Sequence, residues 1–253
     1  MHFAPHTSAH VAEVTYGGDE VKNTMLIGAA ACFAMFTAVS MGADTDLKDE
    51  RERADNAAQV LVEIARAEDA GIPNALLDRA KAIAVTPHVV RGAFGVGGRF
   101  GKGLVTQRLP SGEWSAPAFV NVGGASFGFQ IGGDATDLIL VFIEEKGLEE
   151  LLNDKLTLGA DASVAAGPLG RSLEAGTNVT LDSAIYSYSR SKGLFAGVAL
   201  DGTVWTLDDD ANRNVYGPSV TGKAILDKAS SSAPVAVKPF GNAVKRLTPK
   251  VAR

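Results

Sequence analysis

Between residues 48 and 68, apolar side chains recur at helical spacing. Ala57, Val60, Leu61, Ile64 and Ala67 share one face. Asp46 or Asp49 can cap this helix, and acids fill its first turn. Gly71 and Pro73 should stop it. A second, short helix is expected over 74–80. From Lys81 to Leu200 the hydrophobic period changes to two. Residues 82–85 read as a strand that Pro87 stops. From 92 to 104 the even positions include Phe94, Val96, Phe100 and Leu104, whereas the odd ones are Ala93, Gly95, Gly97, Arg99, Gly101 and Gly103. Phe127, Phe129 and Ile131 alternate with small or polar residues in the same way. A strand bare on one face allows tight curvature or the close approach of another backbone. Further strands are expected over 115–122 and 137–144, the second apolar enough to be central. A hairpin should turn at Ser191-Lys192-Gly193, and short helices should cover 147–154, 211–216 and 220–228. The expected fold class is α+β: a glycine-rich curved antiparallel sheet or small barrel, with an N-terminal helix and short peripheral helices.

Composition narrows the function. The chain has 253 residues, of which 46% are hydrophobic and 21% charged, so a packed core is expected and global disorder is not. The net charge of −5 argues against a nucleic-acid partner. Its distribution is uneven. Residues 228–253 hold Lys228, Lys238, Lys245, Arg246, Lys250 and Arg253 and no acid. With no strong hydrophobic period, this segment reads as a basic flexible tail on an acidic body. The tail offers contact with an anionic membrane, where each basic residue near the surface contributes ~1 kcal/mol.

Met25 to Ala43 is uncharged and ends in small residues, followed by the polar run DTDLKDERER. It reads as a cleaved export signal with Lys22 before it, cut after Ser40, Gly42 or Ala43. Twenty residues stand before Val21. Val21 is an alternative start, if its codon is GTG. Cys32 follows three alanines and offers a lipoprotein alternative, although the apolar run continues past it. The expected organisation is a leader with signal peptide over 1–43, a folded domain over 44–227 and the tail over 228–253. The expected location is periplasmic or secreted.

Catalytic chemistry finds few residues. After processing near residue 43 no cysteine remains, and His88 is the one histidine left. That removes Cys-His catalysis and most structural zinc sites. The run from Gly95 to Gly103 resembles a phosphate loop, but Val96 and Gly103 stand where a glycine and a Ser or Thr are needed. Phe100 likewise breaks the dinucleotide pattern. Arg99 and Lys102 remain candidate anion contacts beside bare backbone. Asp208-Asp-Asp-Ala-Asn-Arg-Asn214 looks like a calcium loop but lacks its glycine and final glutamate. Asp210 capping a helix from Ala211 is the expected alternative. No catalytic residue, metal or cofactor is expected. The candidate lipid- or anion-binding residues are Arg99, Lys102, Lys238, Lys245, Arg246 and Lys250.

Four segments carry a family resemblance: KAIAVTPHVVRGAFGVGGRFGKG (81–103), GEWSAPAFVNVGGASFGFQIGGDATDLILVF (112–142), KLTLGADASVAAGPLGR (155–171) and IYSYSRSKGLFAGVALDG (185–202). Together with DDDANRNVYG (208–217), they resemble the SYLF domain family over residues 50–227. The resemblance implies a non-enzymatic protein that binds lipid, phosphoinositides in eukaryotic relatives, with actin binding or bundling in some. It also implies lipid contact through a basic amphipathic N-terminal helix. The matching segment here sets Lys48, Arg51, Arg53 and Arg66 against Asp49, Glu50, Glu52, Asp55, Glu63, Glu68 and Asp69. This balance departs from the family's basic helix and argues against phosphoinositide contact through it; export argues against actin, and the expected partner is an anionic lipid or membrane surface met by other cations. The alternative is a structural or protein-interaction scaffold in the periplasm that binds no lipid.

Overall fold

The computed structural model describes residues 47–67, 71–94, 96–126, 135–153, 155–170 and 182–248. The expected leader, the alternation at Phe127–Ile131 and Lys250 lie outside them. The described residues belong to one compact unit that begins at Leu47.

Helix α1 (Lys48–Arg66) buries Ala54, Ala57, Val60, Leu61 and Ile64, the stripe its periodicity predicts. Its N-cap position is Leu47, with no side-chain cap. Helix α2 (Asn74–Arg79) follows. A strongly curled sheet, a half-barrel, then forms the body. Its strands are β1 (Ala82–Phe94), β2 (Val96–Gln107), β3 (Ala118–Ser126), β4 (Thr136–Phe142), β5 (Lys155–Thr157), β6 (Val164–Ala166), β7 (Ile185–Ser191), β8 (Leu194–Gly197) and β9 (Val204–Leu207). Their spatial order is β5-β9-β3-β2-β1-β4-β7-β6, with β8 paired to β7. The pairs are antiparallel except β6–β7. Every residue of β4 is buried, as expected of an inner strand. Helices α3 (Glu145–Asn153), α4 (Asp209–Tyr216), α5 (Gly222–Leu226) and α6 (Lys238–Leu247) lie around the sheet.

Pro87 does not stop the first strand. β1 runs through it because Pro87 sits in a bulge. β1 carries one more residue than β2 between the pairs Val85–Leu104 and Val90–Phe100. It carries one more than β4 between Thr86–Leu138 and Val89–Thr136. A bulge frees residues from the ladder, so the missing proline N–H costs nothing there. His88 takes φ 52°, and its backbone N–H donates to Asp137 Oδ1 at 2.8 Å. Asp137 Oδ2 accepts from Arg190 Nε at 2.6 Å, and Arg190 also pairs with Glu63 of α1. The alternation from 92 to 104 is likewise not one strand: β1 ends at Phe94, β2 begins at Val96, and the two pair antiparallel.

The bulge also explains the glycines of β2. A Cβ at Gly103 would overlap the Val85 carbonyl oxygen and approach Thr86 Cα to 2.8 Å. One at Gly101 would come within 2.8 Å of Val89 Cγ2. At Gly101 and Gly103 the bare face of β2 is therefore filled by the bulged segment of β1, with side chains of Thr86 and Val89 over the first and backbone of Val85 and Thr86 over the second.

The flexible tail expected from Lys228 is corrected by the structure. Residues 229–248 are folded, and the domain does not end at 227. Two 3-10 turns (Ser230–Ser232 and Val235–Val237) lead into α6. Val237, Phe240 and Val244 are fully buried. The Trp114 indole donates to Thr248 Oγ1 at 2.7 Å and fixes the far end. The apolar stripe was present in the sequence: Phe240, Ala243, Val244 and Leu247 stand at i, i+3, i+4 and i+7.

Candidate anion-binding surface

The acidic motif 208–214 is structural. Asp208, not Asp210, caps α4, accepting from the Ala211 N–H at 3.2 Å. Asn212 is buried, and its amide pairs with the Phe119 backbone in both directions, at 2.8 and 3.2 Å. Asn214 donates to the buried Glu50 of α1 at 3.0 Å. With these side chains committed to fastening α4 against β3 and α1, the calcium-loop likeness dissolves. Among the described residues no group of three or more His, Cys, Asp or Glu is placed to hold a metal.

The structure separates the candidate cations. Arg99 and Lys102 are three residues apart on β2, so they project from opposite faces. Arg99 is partly buried, and its Nη1 reaches Thr203 Oγ1 at 3.5 Å. Lys102 is exposed beside a groove of about 430 Å³ that it shares with Phe100, His88 and, from α1, Asp49 and Glu52. Lys238, Lys245 and Arg246 belong to α6. With Asn242 they fall within an arc of about 100° opposite the buried stripe. This exposed face holds three cations and no acid. Lys245 also borders a small cavity of about 230 Å³ with Arg108, Trp114 and Thr248. Arg108 lies over the Trp114 ring at 4.7 Å and donates to the Ala80 and Leu77 carbonyls, closing the end of α2. Burial lowers its pKa from the usual arginine range, and Asp78 opposes that shift.

A second surface was not read from the sequence. Registers across β1, β2, β3, β9 and β5 align Val90, Phe100, Gly123, Val204 and Thr157 in one row. Two residues along, Lys102, Asn121, Thr206 and Lys155 make the next row on the same face. No residue of either row is buried, whereas Val122, Trp205 and Leu156, on the opposite face, are. This is the outer face of the half-barrel. One row further on, α4 and Arg53 of α1 cover Phe119.

The family model described as "Ysc84: Las17-binding protein actin regulator" matches residues 123–247. The fission yeast (Schizosaccharomyces pombe) "SH3 domain-containing protein PJ696.02" is 38% identical over 172 residues, 67% of this chain and 40% of the relative. "Protein YSC84" of Saccharomyces cerevisiae is 39% identical over 171 residues, 66% of this chain and 36% of the relative. The human "SH3 domain-containing YSC84-like protein 1" is 35% identical over 185 residues, 72% of this chain and 54% of the relative. The chain spans about half, or less, of the length of these relatives. The family is described as an actin regulator, and no catalytic family is indicated.

Proposed function

This chain belongs to the Ysc84/SYLF family, and from that premise we propose that its domain is a non-enzymatic module that docks on an anionic phospholipid surface of the cell envelope. The observation that carries the reading is the exposed face of α6, where Lys238, Lys245 and Arg246 stand together without an acid. The acidic body outside the cation-rich segments is repelled by an anionic surface, so a helix face of one sign decides which side approaches. Because α6 is packed on the core, its cations are held in place rather than carried on a loose tail. The export signal read at Met25–Ala43 supports an envelope location.

Sedimentation of the mature chain, from Asp44 onward, with vesicles tests this. Binding to anionic vesicles should exceed binding to neutral ones, and should weaken as salt shortens the Debye length from ~10 Å at 0.1 M to ~3 Å at 1 M. Reversing all three charges (K238E, K245E, R246E) should remove the anionic preference. Equal binding to both vesicle types, unmoved by salt, overturns the reading.

The family description favours a second reading, a protein-interaction scaffold in actin regulation. It requires co-sedimentation of the chain with actin filaments and no preference for anionic vesicles.

A further inference from the structure

Phe100 is 68% exposed and Val90 52%, and they face each other directly across the β1–β2 hairpin. The other exposed large hydrophobics among the described residues, Leu194 and Val235, are not part of this row. Single exposed apolar residues need no explanation, but a continuous row does. Gly123, the next residue of that row, has open space where a side chain would stand, and Val204 beyond it is half-exposed. The row is therefore a shallow apolar strip with Phe100 as its main projection. The parallel row ends in an exposed lysine on each side, Lys102 and Lys155. Neither row contains an acid.

We infer that this outer sheet face is a membrane-insertion surface, with Phe100 and Val90 entering the boundary between head groups and acyl chains and Lys102 and Lys155 pairing with lipid phosphates. The inference rests on the anionic-lipid reading and adds to it a surface distinct from α6. The spacings suit the task. The lysine row lies about 7 Å from the apolar row, two residues along a strand. Lys102 and Lys155 are about 14 Å apart across three strand spacings. Interfacial elements bury their apolar side about 5–10 Å deep. Val90, Phe100 and Lys102 stand on inner strands, whose neighbours on both sides leave no room for an added peptide strand, whereas Lys155 stands on β5 at the end of the sheet. Asp49 and Glu52 stand on α1 across the groove from Lys102, beyond the lysine row. They oppose an approach from the α1 side and favour one led by the hairpin.

The test places an environment-sensitive nitrobenzoxadiazole label at position 100 of the mature chain, from Asp44 onward, which has no other cysteine (F100C). Vesicles contain phosphatidylserine in phosphatidylcholine, with and without spin-labelled acyl chains. The expected result is a rise in emission on binding and quenching by the spin-labelled lipid. Unlabelled F100S, with thermal stability checked against wild type, should bind these vesicles about tenfold more weakly. K102E with K155E should weaken binding further at low salt. If the chain keeps its salt-sensitive anionic binding while the label stays in water and F100S binds as wild type does, the insertion surface is wrong and the α6 reading stands. A chain that binds neither vesicle type overturns both.

Discussion

Arg53 of α1 meets Asp208, the capping residue of α4, at 2.9 Å, with their side chains 10% and 8% exposed. The same guanidinium lies 5.1 Å from the Phe119 ring centre on β3. One side chain thus fastens the first helix, a central strand and the acidic motif together. Removing one partner of such a pair leaves the other buried and uncompensated, at about 3–5 kcal/mol. D208N should lose that much stability in urea unfolding. Arg53→Met combined with D208N should recover part of it, whereas additive losses would show that the pair is not coupled.

Gly103→Val tests the close approach of the β1 bulge. The new side chain collides with Val85 and Thr86 backbone, which cannot swing aside as a flexible side chain can. Overpacking of this kind costs about 1–3 kcal/mol or more. A matching loss of soluble expression or melting temperature is expected. Gly123→Val, at a glycine with open space, should be tolerated far better. Equal stability of the two variants would refute the bulge contact.

The C-terminal helix should behave as core. Phe240→Ala removes a fully buried ring and should cost about 3–5 kcal/mol. Deleting 229–253 should unfold the domain, not merely trim its charge. A deletion variant that melts like wild type would return this segment to the status of a tail.

Alkaline pH should destabilise the domain. Burial pushes the Tyr188 and Tyr216 phenols above the usual tyrosine range, with the nearby Tyr186 adding to the effect on Tyr188. Each hydroxyl donates to a backbone carbonyl, of Pro168 and Pro117 respectively. The folded state therefore holds these protons more tightly than the unfolded chain does. Their contribution is fully present below the unfolded value of about 10 and is lost as pH rises through the folded values. Unfolding free energy followed from pH 8 to 12 should fall above about pH 10, and Y188F with Y216F should flatten that decline.

The reading of Met25–Ala43 as an export signal makes a simple expectation. Protein recovered from its native host should begin between Met41 and Asp44. An acylated N-terminus at Cys32 would make it a lipoprotein instead.

The sequence by itself determined what depends on neighbours along the chain. The stripe of α1, the all-apolar β4 and the Lys192-Gly193 turn, both residues at positive φ, followed from local period and turn chemistry. The stripe of α6 was legible too, at Phe240, Ala243, Val244 and Leu247, but lay hidden among Ser, Pro and Lys. Tertiary structure alone decided what depends on neighbours across the sheet. Alternation shows that Phe100 and Lys102 share a face. It does not show which strands lie beside them, or that α1 and α4 stop one row short and leave that face open. Alternation alone parts Arg99 from Lys102, but register decided that Pro87 falls in a bulge and that Gly103 lies under Val85. Those facts arise from pairings between segments distant in sequence, whose hydrogen bonds and close contacts leave no periodic trace in either segment alone.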